Sequence, residues 1–146
     1  MTGLAYGDTS AMPKLYLQEP GSAHAAELAR NFECASCELM PVELRGALHR
    51  RRMGGDSTPR QHCDAERRIA ANRMRWRLSP IGAVVLGRAE QIVTAHRVRA
   101  LDAVHVAAAL EVQAALESGL PFFTADRRQA EVATALGLQV TLVGAA

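Results

Sequence analysis

Short apolar runs alternate with longer stretches of helical period along this 146-residue chain. Leu4-Ala5-Tyr6, Phe32 to Ala35, Trp76-Arg77-Leu78, Phe122-Phe123-Thr124 and Leu138 to Val143 read as strands. Between them the spacing predicts helices from Ser22 to about Asn31, from near Cys37 or Glu38 through the Arg50-Arg51-Arg52 run, and over Pro59 to Met74, Ile81 to His96 and Leu101 to about Ser118. A last helix begins at Thr124 or Asp126 and ends at Gly137. Strands separated by helices need crossover connections, so the pattern predicts an α/β fold with a mainly parallel sheet. Thr9-Ser10 and Ser22 are candidate helix caps, Pro13 and Pro41 belong near helix starts, and Gly119 with Pro121 ends a helix. No repeat or linker divides the chain, so residues 1–146 are expected to form a single domain.

Aromatics make up only 4% of residues, so the core must come from Ala, Leu and Val. Net charge is +2, but it is unevenly placed. Between Arg45 and Arg77 ten arginines face only Asp56, Asp64 and Glu66. That segment is either a surface for an anionic partner or a solvated helical face, and charge alone does not separate the two. The N-terminus has no basic head followed by an apolar stretch, and no apolar run approaches the roughly 20 residues that span a bilayer. A cytoplasmic protein without a membrane segment is expected. Three cysteines argue against a disulfide framework.

Four carboxylates stand out. Asp8 and Asp126 each follow an apolar strand, and in an open parallel sheet ligands bind beyond the strand ends where strand order reverses. If the first strand and the Phe122 strand flank that point, the two acids face each other. Asp102 lies in the almost wholly apolar stretch Arg99 to Leu110, where an unpaired carboxylate is costly. It needs a metal, an arginine such as Arg99, or the backbone amides of a helix N-terminus. Glu43, between Val42 and Leu44, reads on its own as a solvent-facing helix residue. Converging carboxylates and hydroxyls form an oxygen-only site suited to Mg²⁺ or Mn²⁺, and such an ion beside a basic surface suits phosphodiester hydrolysis.

Other chemistries find less support. Cys34 and Cys37 have thiol-pair spacing, but only His62-Cys63 offers further zinc ligands, in no standard order. His105 shares a helix face with Asp102 and reads as a core histidine satisfied by a hydrogen bond. A phosphoaspartyl enzyme would want a second acid at position 10, where serine stands, and no phosphate-cradling glycine loop is present.

Four segments, in order, carry a resemblance: Tyr6-Gly-Asp8-Thr-Ser10-Ala with Lys14-Leu-Tyr16; Val42-Glu43-Leu-Arg45 with Ala47-Leu48; Arg99-Ala-Leu-Asp102-Ala-Val-His105; and Phe123-Thr124-Ala-Asp126-Arg-Arg128. Over nearly its whole length the chain resembles the PIN domains, specifically the VapC-type toxin nucleases. The resemblance implies a doubly wound three-layer α/β/α sandwich, Mg²⁺- or Mn²⁺-dependent cleavage of RNA, a VapB-type antitoxin as partner, and a homodimer. It places Asp8, Glu43, Asp102 and Asp126 as metal-holding catalytic acids. Thr9, Ser10, Thr124 and Arg99 support them, and Arg45, Arg50 and Arg51 contact RNA or antitoxin. Gly7, Pro13, Glu38 and Pro41 depart from the family's usual apolar residues at their positions. The alternative is a catalytically weak PIN-fold module that binds RNA or protein.

Overall fold

The computed structural model describes residues 3–144. Five strands, β1 (Gly3–Gly7), β2 (Phe32–Cys37), β3 (Arg77–Ser79), β4 (Pro121–Thr124) and β5 (Gln139–Leu142), form one sheet in the order β3-β2-β1-β4-β5. Every pairing is parallel. Strand order reverses between β1 and β4, which pair through Tyr6–Phe122 and Gly7–Phe123. The crevice anticipated from the strand-end acids is therefore a real feature of the topology.

Alternation along the strands sends side chains to two cores. Tyr6, Ala35, Cys37 and Phe122 pack with α4 (Ala83–Ala95), α5 (Ala100–Leu116) and α6 (Arg127–Ala135). On the other side, Met12 and Tyr16 from a short 3₁₀ segment (Met12–Leu15 and its flank) pack with α2 (Met40–Met53) and α3 (Pro59–Arg73). Helix α1 (Ser22–Asn31) contributes Ala25 to a small cluster with Ala11 and Val143. Three layers result, as the resemblance implied. Leu44 and Leu48 of α2 are fully buried, each contributing about 1.5–3 kcal/mol by leaving water. Helix α5 is buried continuously from Ala103 to Leu110. Its alanines let it lie close to both α4 and the sheet. No described helix is long and apolar enough to cross a membrane.

Several local expectations shift. Helix α2 starts at Met40 rather than near Cys37, because Ser36 and Cys37 stay extended to pair with Leu78 and Ser79 of β3. Ser22 does not cap α1. Its hydroxyl donates to the Leu17 carbonyl, and Gly21 takes the cap position at φ +92°. A side chain at Gly21 would meet the Gly144 backbone at 2.7 Å, so glycine is required twice over. Helix α5 ends on Glu117, at φ 53°, before reaching Gly119. Gly7 is explained by Met12, whose sulfur would lie 2.8 Å from an added Cβ.

Candidate active site

Asp8 follows β1, and its amide donates to the Phe123 carbonyl of β4 at 2.9 Å. The carboxylate is 2% exposed. Ser10 caps it rather than a helix: the Ser10 amide and hydroxyl donate to Oδ2 at 2.9 and 2.7 Å. The Gln129 amide group donates to Oδ1 at 2.9 Å. A buried carboxylate without these donors would carry a large desolvation penalty.

Gln129 is itself fully buried and held from both ends. Its Oε1 accepts from the Thr124 hydroxyl at 2.6 Å, and its backbone amide donates to Oδ1 of Asp126, the N-cap of α6, at 3.0 Å. The Thr124 hydroxyl also accepts from the Asp126 amide, and the Ala125 amide donates to the Ser10 hydroxyl. Ser10, Thr124 and Gln129 thus lock the ends of β1 and β4 to the start of α6.

Asp102 occupies the first turn of α5. Burial raises its carboxyl above the usual range, and the charges of Asp8 and Asp126 push the same way, against Arg99. Arg99 stands between the two acids, with Nε 3.4 Å from Asp102 and an Nη 3.5 Å from Asp126. Its side chain is 84% exposed, so it spans the acids from the solvent side.

Glu43 joins through a second network. In the first turn of α2, its Oε1 accepts from the Thr9 hydroxyl at 3.0 Å and lies 2.7 Å from Nε2 of His105, one turn along α5 from Asp102. His105 is 1% exposed. On its other ring nitrogen it meets the Tyr6 hydroxyl at 2.9 Å and the Cys37 thiol at 3.7 Å. Burial works to lower the imidazole, but hydrogen bonds with Cys37 and Glu43 and the charge of Asp8 overcome it and raise it to about 10. The ring thus links Glu43 at Nε2 to the Tyr6 hydroxyl at Nδ1.

The crevice therefore gathers Asp8, Asp102 and Asp126 from β1, α5 and α6. Thr9 and His105 tie in Glu43. Ser10 and Thr124 belong to the supporting network and Arg99 to the rim. Arg45, Arg50 and Arg51 of α2 are not gathered there. Arg45 pairs with Glu66 of α3 at 3.0 Å, Arg51 pairs with Glu19, and Arg50 is exposed. Sequence reasoning missed Tyr6 and Gln129 and placed His105 only in the core. Asp126-Arg-Arg-Gln129 has the spacing of a helix capping motif, which accounts for the polarity of Gln129 without a site.

The PIN domain family model matches residues 5–135. This chain belongs to the PIN-domain family. It is 36% identical over 94% of its length, and 94% of theirs, to two Mycobacterium tuberculosis proteins, "Ribonuclease VapC45" of strain CDC 1551 / Oshkosh and "Ribonuclease VapC49" of strain ATCC 25618 / H37Rv. These relatives make it a PIN domain of the VapC type. A solved "Toxin-antitoxin complex from Klebsiella pneumoniae" superposes with TM-score 0.60 over 94% of this chain and 95% of that one. At 12% identity that likeness establishes the fold.

Among the described residues of this PIN domain, no three His, Cys, Asp or Glu side chains are grouped as a ready metal cluster. Arg99 stands on Asp102 and Asp126, and His105 stands on Glu43. The donor set nevertheless fits a hard divalent cation. It is oxygen-only, and the burial and neighbouring negative charge that raise Asp102 are what such an ion would offset.

Proposed function

We propose that this PIN domain is the toxin of a toxin–antitoxin pair, an endoribonuclease that hydrolyses RNA phosphodiesters in the cytoplasm with a Mg²⁺ or Mn²⁺ ion held by Asp8, Glu43, Asp102 and Asp126. The reading rests on one observation above the rest: acids following β1, in the first turn of α5 and at the cap of α6 converge where strand order reverses, with Gln129 bonded to all three residues and Arg99 spanning Asp102 and Asp126. The ribonuclease names of the 36%-identical relatives support the same activity, and the toxin–antitoxin title of the structural neighbour accords with an antitoxin partner.

When bound, the ion supplies Lewis-acid stabilisation of charge developing on the phosphoryl oxygens. The protein's part is positioning. Ser10 and Gln129 fix the plane of the Asp8 carboxylate, and Thr9 and His105 fix Glu43. Arg99 offsets negative charge between Asp102 and Asp126 and is exposed enough to turn toward a phosphate. In this reading Arg50, the unpaired member of its trio among the described residues, is available to antitoxin or RNA, while Arg45 and Arg51 engage only by leaving Glu66 and Glu19. Exposed Leu86 and Val93, aligned on one face of α4, offer a surface for a homodimer, which sedimentation would detect.

Purified protein incubated with a broad RNA panel tests the activity. Cleavage that requires Mg²⁺ or Mn²⁺, stops with chelator and is lost in Asp8→Asn is expected. RNA or protein binding indifferent to chelator, with no cleavage of any RNA, would establish a binding module instead.

A further inference from the structure

The acid cluster creates a difficulty for its own substrate. Ionised carboxylates in a partly desolvated crevice repel an incoming phosphodiester strand, so a polyanion needs cationic positions next to them. No arginine of the chain's middle pairs with an acid of the crevice. Arg45, Arg51 and Arg77 pair instead with Glu66, Glu19 and Glu33, and Arg68 donates to the Leu15 carbonyl.

A different set of arginines borders the acids. The turn between α4 and α5 and the start of α6 bring up Arg97, Arg99, Arg127 and Arg128, all exposed. Arg99 reaches Asp102 and Asp126, so the set is continuous with the crevice. His96, Arg97 and Arg128 line an open cleft of about 370 Å³ together with Glu131 and Val132. Among the described residues Arg97, Arg127 and Arg128 form no ion pair. Glu131 is the one acid in the cleft, so its lining remains net positive. No Phe, Tyr or Trp side chain lines it, so its contacts to a strand are dominated by charge.

We infer that Arg97 and Arg128, with Arg127 beside them, form the track that holds the phosphates of a single-stranded RNA flanking the bond to be cut. The inference rests on the ribonuclease reading and adds where the strand lies. The track reads phosphates rather than bases, so binding there is salt-sensitive and indifferent to sequence. RNA is preferred over an acidic protein because the rim adjoins the carboxylates, where a scissile strand must pass.

The test is binding of a fluorescent, mixed-sequence single-stranded RNA to the full chain in chelator, across a salt series. The variants are Arg97→Gln/Arg128→Gln and, as control, Arg60→Gln/Arg67→Gln, two exposed arginines of α3, their folding checked by circular dichroism. Each phosphate contact on a single strand contributes a slope of about −0.7 in log affinity against log salt. The rim variant is expected to lose about 1.4 of slope and to bind roughly 25-fold more weakly at 0.1 M salt, while the α3 variant changes little. Unchanged affinity and slope in the rim variant, with the unmodified protein binding RNA, overturns the track alone. No RNA binding by the unmodified protein overturns both the track and the ribonuclease reading. A rim variant that loses only an acidic peptide, poly-glutamate, overturns the RNA assignment in favour of a protein partner.

Discussion

Replacing Gln129 by leucine, a side chain of similar size, removes three hydrogen bonds while keeping most of the packing. They are the 2.9 Å bond to Oδ1 of Asp8, a longer 3.3 Å bond to the Asp102 carbonyl and the 2.6 Å bond from Thr124. Water cannot substitute at Asp8, which is 2% exposed. A hydrogen bond to a charged group contributes about 1.5–3 kcal/mol, and a neutral one about 1 kcal/mol. The expected loss is therefore roughly 3.5–5 kcal/mol, a large part of the 5–15 kcal/mol typical of a domain. Urea unfolding in chelator measures it. Gln129→Leu, Asp8→Asn and the double variant close a thermodynamic cycle, because Asp8→Asn removes the charge that the amide serves. A coupling of about 1–2 kcal/mol is expected. Coupling below about 0.5 kcal/mol, the range of independent sites, would refute the claim that Gln129 acts on this carboxylate. Gln129→Glu should be worse than leucine, since it sets a second negative charge against a buried first one.

Asp102→Asn should stabilise the chelated protein at pH 7. The carboxyl is raised on folding, so the folded state holds the proton more tightly than the unfolded chain, and stability falls as pH rises from the unfolded toward the folded value. The melting-temperature gain of the variant should therefore shrink toward acid pH, and a gain that grows in acid would contradict the assignment. Tyr6→Phe keeps the stacking on Phe122 but removes the hydroxyl at Nδ1 of His105. A loss of about 1 kcal/mol is expected, with a displaced His105 imidazole nitrogen-15 resonance; an unmoved resonance would show that the contact is idle. Of the three thiols, only exposed Cys63 should label quickly in native protein. Cys37 is buried, and burial pushes the Cys34 thiol up to about 12. Rapid uptake of two or three equivalents of maleimide would contradict this.

The parts of the site legible in the sequence are those fixed by local pattern. Asp8 and Asp126 were visible because an acid directly after an apolar run marks a strand end, and the β1–β4 reversal sets those ends side by side. Asp102 was visible because a carboxylate in an apolar helix demands an explanation. Glu43 carries no such mark. What distinguishes it is His105, 62 residues away in the chain, and no local pattern encodes that meeting. The arginines illustrate the opposite error. Arg45 and Arg51 look free in one dimension, but Glu66 and Glu19 come to them only through folding. Arg97 and Arg128 are unremarkable in sequence and become neighbours through the packing of α4, α5 and α6.

Helix α5 presents Asp102 on its first turn and His105 on the next, and continues as the buried stripe that ends at Leu110. Both arms of the site are therefore mounted on one rod gripped by the hydrophobic interior. An enlarged side chain at Ala107 or Ala108, buried and remote from any phosphate, would displace the rod and detune both arms together. In such a molecule the tolerance of the interior to substitution sets the tolerance of the chemistry. Selection for activity then reaches alanines that touch no substrate.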